Sequence, residues 1–174
     1  MRIVFTSLLL ASALSAAAVP AAVIDASYEV SMPSGWTMER RAGGAVFTGP
    51  AAEGVSAMIS VRYVRPDYSL YGTPEAYMKK LTKPSSIPLS GWKNGPVEKV
   101  TAVGRKSLRL ERDTTEFTAP HTIAPKEVAM REEHLAVPAA QGFYLLIYTA
   151  PRSIDKAQRA IFRGLVGKGF KPKL

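Results

Sequence analysis

The sequence predicts an α+β fold: one antiparallel β-sheet flanked by helices, in a single domain. Three observations carry that expectation. Short runs of alternating apolar and polar residues follow one another between Gly and Pro, the pattern of consecutive antiparallel strands. One run, Phe143 to Thr149, is apolar at both parities, so it belongs in the middle of a sheet covered on both faces. Two further stretches, near Thr73 and near Ser153, carry helix start signals and helical spacing. A length of 174 residues suits one medium domain, and a core of that size needs neither a disulfide nor a structural metal.

The chain opens with what reads as an address. Met1-Arg2 is a positive start, Ile3 to Leu14 is apolar apart from Thr6, Ser7 and Ser12, and small residues occupy most of Ser15 to Ala22. That succession is the pattern of a secretory signal peptide. Ala18, with Ala16 at −3, and Ala21, with Val19 at −3, both suit cleavage. The apolar stretch of about 12 residues falls short of the roughly 20 that span a bilayer. Residues 1–22 are therefore expected to be a cleaved signal peptide and 23–174 the domain, periplasmic or secreted and not membrane-spanning. Loss of Arg2 from the 23 basic residues leaves 22 against 14 acidic ones, a formal charge of +8.

Tyr28 to Met32 alternates and stops at Pro33-Ser34-Gly35. Trp36 to Arg41 and Ala45 to Thr48 follow as short strands, with Gly49-Pro50 starting a loop. From Val55 to Tyr63, apolar residues at odd positions alternate with Ser56, Met58, Ser60 and Arg62, a half-buried strand. Thr73-Pro74-Glu75 has the chemistry of a helix start, with Thr as N-cap, Pro at the first helical position and an acid in the first turn. That helix ends before Pro84, and the Pro- and Gly-rich stretch 83–96 is expected to hold no regular element. Val97 to Val103 and Lys106 to Glu111 read as strands about a bend at Gly104, and 113–125 as a long loop. Val128 to Val137 is a further strand, before the central one. The last helix is expected to take Ser153 as N-cap, with Asp155 in its first turn. Ile154, Ala157, Ile161 and Leu165 fall within about 80° on a helical projection, and Arg152, Lys156, Arg159 and Arg163 within about 60° on the opposite side.

This order of elements resembles the PsbP-like family, which includes DcrB-like periplasmic proteins. The resemblance rests on Tyr28-Glu29-Val30-Ser31-Met32-Pro33-Ser34-Gly35-Trp36, similar to a first hairpin, and on Thr73-Pro74-Glu75-Ala76-Tyr77. It rests also on Gly142 to Pro151 followed by a helix containing Phe162 and ending at Gly169-Phe170-Lys171. It implies an α/β/α sandwich and a role in binding, as an assembly subunit, adaptor or exported accessory protein. It carries no catalytic motif to transfer.

Residue inventory excludes much chemistry. The absence of cysteine removes thiol nucleophiles, iron–sulfur clusters, thiolate zinc sites and a lipid anchor on cysteine. No Gly-x-Ser-x-Gly elbow, phosphate loop or dinucleotide fingerprint occurs. Glu132 and His134 share one strand face and, with His121, make a conceivable three-ligand set. The run Arg131-Glu132-Glu133-His134 nevertheless reads as a solvated strand edge, so neither a metal nor a cofactor is expected. No pair of acids stands out for glycoside chemistry.

Two features point to binding. Arg152, Lys156, Arg159 and Arg163, with Lys168, Lys171 and Lys173 beyond them, suit an anionic partner, either a protein or an envelope component. Nucleic acid is not expected, because the stripe lacks interleaved aromatics. Tyr63, Tyr68 and Tyr71 flank a loop and offer amphipathic contact area. The expected function is that of an exported, non-enzymatic binding or accessory protein. The alternative is a carrier holding a small hydrophobic ligand between the sheet and residues 64–96.

Overall fold

The computed structural model describes residues 22–84, 91–118 and 124–174. The proposed signal segment up to residue 21, and His121, lie outside them. The strands are β1 (Ala22–Ile24), β2 (Tyr28–Ser31), β3 (Thr37–Arg41), β4 (Gly44–Ala52) and β5 (Val55–Val64). Helix α1 (Pro74–Thr82) leads to β6 (Lys93–Ala102), β7 (Arg105–Thr118), β8 (Lys126–Pro138) and β9 (Phe143–Pro151). Helix α2 (Asp155–Gly164) then loosens into a π-helical turn, Leu165–Gly169, before β10 (Phe170–Pro172).

The main sheet has seven antiparallel strands in the order β3-β4-β5-β9-β8-β7-β6. The doubly apolar strand is the middle one, as its composition requires. Phe143, Tyr144, Leu145, Leu146 and Tyr148 are fully buried along it. Two meanders, β3–β5 and β6–β9, meet where β5 pairs with β9, from Met58↔Thr149 to Val64↔Phe143. A short antiparallel sheet, β1-β2-β10, packs with α2 on one face of the main sheet, and α1 packs on the other.

On the α2 face, Tyr28, Val30, Phe47, Ile59, Val61, Phe162 and Phe170 join Tyr144, Leu146 and Tyr148 in the larger core. Phe162 stacks on Tyr148 at 5.4 Å between ring centroids, and Tyr144 meets Phe170 edge-on at 5.3 Å. The Tyr144 hydroxyl donates to the Ser27 carbonyl at 2.7 Å and accepts from the Leu174 amide at 2.9 Å. One buried phenol thus ties both ends of the domain to the central strand. On the α1 face, Tyr77 and Met78 pack on Val64, Leu110, Phe143 and Leu145. The helix starts as its sequence predicts, with Thr73 Oγ1 accepting from the Ala76 amide at 3.1 Å.

Several sequence expectations are corrected. Tyr28–Ser31 and Thr37–Arg41 do not form a hairpin, because β2 pairs with β1 and β10 in the small sheet. The Pro33-Ser34-Gly35-Trp36 turn instead carries the chain to the edge of the main sheet. Gly35 adopts φ +76°, and Trp36 lies so close over Gly49 that an added Cβ there would meet its ring at 2.5 Å. The Gly49-Pro50 loop is a register shift within β4, between Thr48 and Ala51. Likewise Gly95 and Pro96 sit in an irregularity within β6, which starts at Lys93. A bulge frees a backbone N–H from the ladder, so Pro is tolerated there. β7 continues to Thr118 through the stretch expected to be a loop, because its threonines and Phe117 suit an extended chain paired with β8. Helix α2 begins later than expected. Ile154 takes the N-cap position, and Ser153 Oγ is engaged at 2.8 Å by Glu53.

Candidate functional site

Helix α2 buries Gln158 and Phe162, and the π-turn that follows buries Leu165, with Ile154 and Ile161 half-buried beside them. Ala157, expected in the core, is exposed. This rotation follows from Phe162, whose ring takes the stacking position on Tyr148. It also turns Arg159 toward the sheet, where its side chain is 16% exposed. Arg159 Nη2 donates to both Asp155 oxygens at 3.0 and 2.8 Å, and Nη1 donates to Glu111 at 3.0 Å. Burial lowers the Arg159 pKa, but the two carboxylates outweigh it and hold it above its usual value. The four cations are therefore not equivalent. Arg152 and Arg163 keep more than half of their side-chain surface and reach Asp113 and Glu111 only at 3.9 and 3.8 Å. Lys156 is exposed, as are Lys168 and Lys171. Lys173 lies 3.4 Å from Glu29.

The three tyrosines separate. Tyr63 lies on the α2 face, 5.5 Å from the Tyr144 ring, and donates to the Gln141 carbonyl. Tyr71 lies on the α1 face, 4.9 Å from Tyr77, and its hydroxyl accepts from Arg62 at 2.7 Å. Tyr68 is exposed, with its ring 5.1 Å from Tyr71. Between α1 and the sheet, Tyr77, Met78, Leu110 and Phe143 pack together, and residues 85–90 of the segment expected to cover a hydrophobic ligand lie outside the described residues.

The charged run 131–134 is not a strand edge. β8 is an interior strand between β7 and β9, and Glu133 and His134 are each only 3% exposed. Alternation sends Glu132 and His134 to the α1 face and Glu133 to the α2 face. On the α1 face, Arg112 Nε donates to Glu132 Oε2 at 2.6 Å, and Thr114 Oγ1 donates to Oε1 at 3.2 Å. His134 Nε2 stands 3.0 Å from Glu132 Oε2, and its Nδ1 lies 2.7 Å from the Tyr77 hydroxyl. A carboxylate only accepts, so Nε2 carries the hydrogen and Nδ1 accepts from the phenol. Trp92 covers Arg112, with the guanidinium 4.7 Å from its ring.

Electrostatics agree with that assignment. Burial holds His134 below its usual 6.5, against the opposing hydrogen bond to Glu132, so the neutral imidazole is favoured. Burial raises Glu132, but the His134 hydrogen bond and the Arg112 charge hold it below the usual carboxylate value. Burial also raises Tyr77, which keeps its hydroxyl a donor. Every member of this chain has a partner, which is the arrangement of a structural network. No group of three His, Cys, Asp or Glu residues suited to a metal converges among the described residues. The sequence signal for this buried site was its setting: the charged run lies between Val128 and Met130 on one side and Leu135, Ala136 and Val137 on the other.

Among the described residues, no helix is long and apolar enough to cross a membrane. No protein-family profile and no curated protein matches the chain. Solved structures do. LpqN of Mycobacterium tuberculosis, involved in cell envelope biogenesis, is 13% identical with a TM-score of 0.54, over 88% of this chain and 90% of its own. The cyanobacterial PsbP of Synechocystis sp. PCC 6803 is 13% identical with a TM-score of 0.53, over 94% of this chain and 99% of its own. Agreement over nearly whole chains at such low identity is agreement of fold: the protein has the PsbP-like α+β fold.

Proposed function

We propose that this is an exported, non-enzymatic accessory protein that docks on an anionic protein or envelope component through the outer face of α2. The observation that carries this reading is the positive charge left over on that face. Arg159 is neutralised by Asp155 and Glu111, while Arg152, Lys156 and Arg163 extend into water. Lys168 and Lys171 continue the exposed charge beyond the helix. Cations held at a rigid helix surface steer an anionic partner at long range, and their effect weakens with salt. Tyr68, the exposed member of the tyrosine group, supplies an amphipathic contact elsewhere on the surface with Tyr71 behind it, while Tyr63 packs against Tyr144 on the other face. A signal peptide at residues 1–22 delivers the domain to the periplasm or beyond, in accord with the envelope role of LpqN. The absence of a catalytic motif in the sequence supports a binding role.

Crosslinking in intact cells, followed by capture of the tagged protein, tests this. Arg152→Glu combined with Lys156→Glu is expected to remove the recurrent crosslinked species while leaving the melting temperature unchanged. Unchanged crosslinking by the double variant would remove the helix face from the argument.

A further inference from the structure

Three local irregularities meet at one cavity on the α2 side of the sheet. The first is Glu133, 3% exposed in an interior strand, whose Oε2 has no hydrogen-bond partner among the described residues. Buried carboxyl oxygens are ordinarily paired, and leaving one unpaired is costly. The second is Val103, at the tip of the β6–β7 hairpin with φ +46°. With Gly104 at +75°, that is the conformation a two-residue hairpin turn requires; it is strained for a β-branched residue, and it sets Val103 at the cavity. The third is the π-helical turn after α2, a distortion frequent at functional sites. Glu133, Val103 and the π-turn residues Val166 and Gly167 line a single cavity of about 370 Å³, within the range of small-molecule sites.

The rest of the lining defines a polarity. Val100, Val103, Leu135, Phe162 and Val166 make the apolar wall, and Arg109 and Arg163 flank the carboxyl. Arg109 gives its Nε and Nη2 to Glu98 at 3.2 and 2.5 Å, so its charge is matched. Arg163 is 56% exposed and has only the 3.8 Å approach to Glu111, which leaves donors to spare.

We propose that this cavity binds a small amphipathic acid, its apolar tail against Val100, Leu135, Phe162 and Val166 and its carboxylate between Glu133 and Arg163. Glu133 and the ligand carboxyl then share one proton, which the ligand brings as it binds, so that one carboxyl donates to the other. Burial first, and Glu111 opposite it on β7 second, push the Glu133 carboxyl above its usual range, against the charges of Arg163, Arg109 and Arg159. Tyr148 faces it from β9. Of the cations at the cavity, only Arg163 keeps donors to spare, and it is the group that receives the ligand's carboxylate. The site shares Arg163 with the docking face proposed above, but neither Arg152 nor Lys156 lines it.

Sodium decanoate titrated into the purified protein, followed by amide NMR, tests this directly. Saturable shifts are expected at Ala102 to Gly104 and at Val166 and Gly167. Glu133→Gln, which keeps a donor, should hold the affinity within about threefold, whereas Glu133→Ala should weaken it by about tenfold, the worth of one charge-assisted hydrogen bond. Arg163→Ala, at an exposed position, should weaken it comparably, and Val166→Trp should abolish it by filling the groove. Absent or non-saturable shifts, or saturable binding of decylamine in preference to decanoate, would overturn the proposal. Failure here leaves the crosslinking result untouched, and the converse holds, because the diagnostic variants differ.

Discussion

Glu132, Glu133 and His134 are neighbours on one strand, yet the two faces of the sheet treat them in opposite ways. Toward α1, Glu132 and His134 enter a closed chain of hydrogen bonds from Tyr77 through to Arg112. Toward α2, Glu133 ends beside a cavity with one oxygen unmatched. A saturated network specifies packing and resists change. An unmatched group keeps its bonding capacity for something else. Burial alone therefore does not separate the two carboxyls; what separates them is that Glu133 lies at a cavity with an oxygen unpaired.

The largest expected effect comes from breaking the closed side. Glu132→Ala strands Arg112 and the His134 N–H in the interior and should cost about 3–5 kcal/mol, as removing one partner of a buried pair does. Urea denaturation reads this, and a loss below about 1 kcal/mol would mean that water replaces the carboxylate. Tyr77→Phe removes one donor from the same chain and should cost about 1–2 kcal/mol in that assay.

The two faces should also respond to pH with opposite sign. On the α1 face, the folded His134 resists protonation among Tyr77, Glu132, Arg112 and Arg62, so stability is lost as pH falls below 6.5. Glu132, held low, adds to the loss as pH falls through the carboxylate range. On the α2 face, Glu133 is held above 4.5, so the folded state binds the extra proton and stability declines as pH rises from there. Melting temperatures across this range should show Glu133→Gln flattening the decline on the rising side while the acid-side loss persists. An unaltered profile in that variant would erase the distinction between the faces. The smallest effect is expected outside both. Lys156→Glu, on the exposed surface of α2, should alter stability by no more than about 0.5 kcal/mol, whatever it does to partner association.

Legibility in the sequence followed how local each signal was. α1 was readable because Thr73, Pro74 and Glu75 cap and start it within three positions. The central place of β9 was readable because both parities are apolar. The extent of β7 was not, since Thr114 to Thr118 becomes a strand only when Thr114↔Met130 to Thr118↔Lys126 are paired. The facing of Arg159 escaped as well, because the acid that turns it inward, Glu111, comes from a distant strand. The charged run on β8 was read as an edge because its residues look solvated in isolation.

By itself, then, the sequence determined the class of fold, the number of helices and the strand that lies at the centre, all of which are set by the local spacing of apolar residues and turn formers. Tertiary structure alone decided which polar side chains are satisfied. Whether Glu132, Glu133 and His134 meet partners depends on register with β7 and β9 and on helices approaching from opposite sides. Apart from the Glu132–His134 contact within β8, those contacts join residues far apart in the chain, and no short window of sequence contains both members.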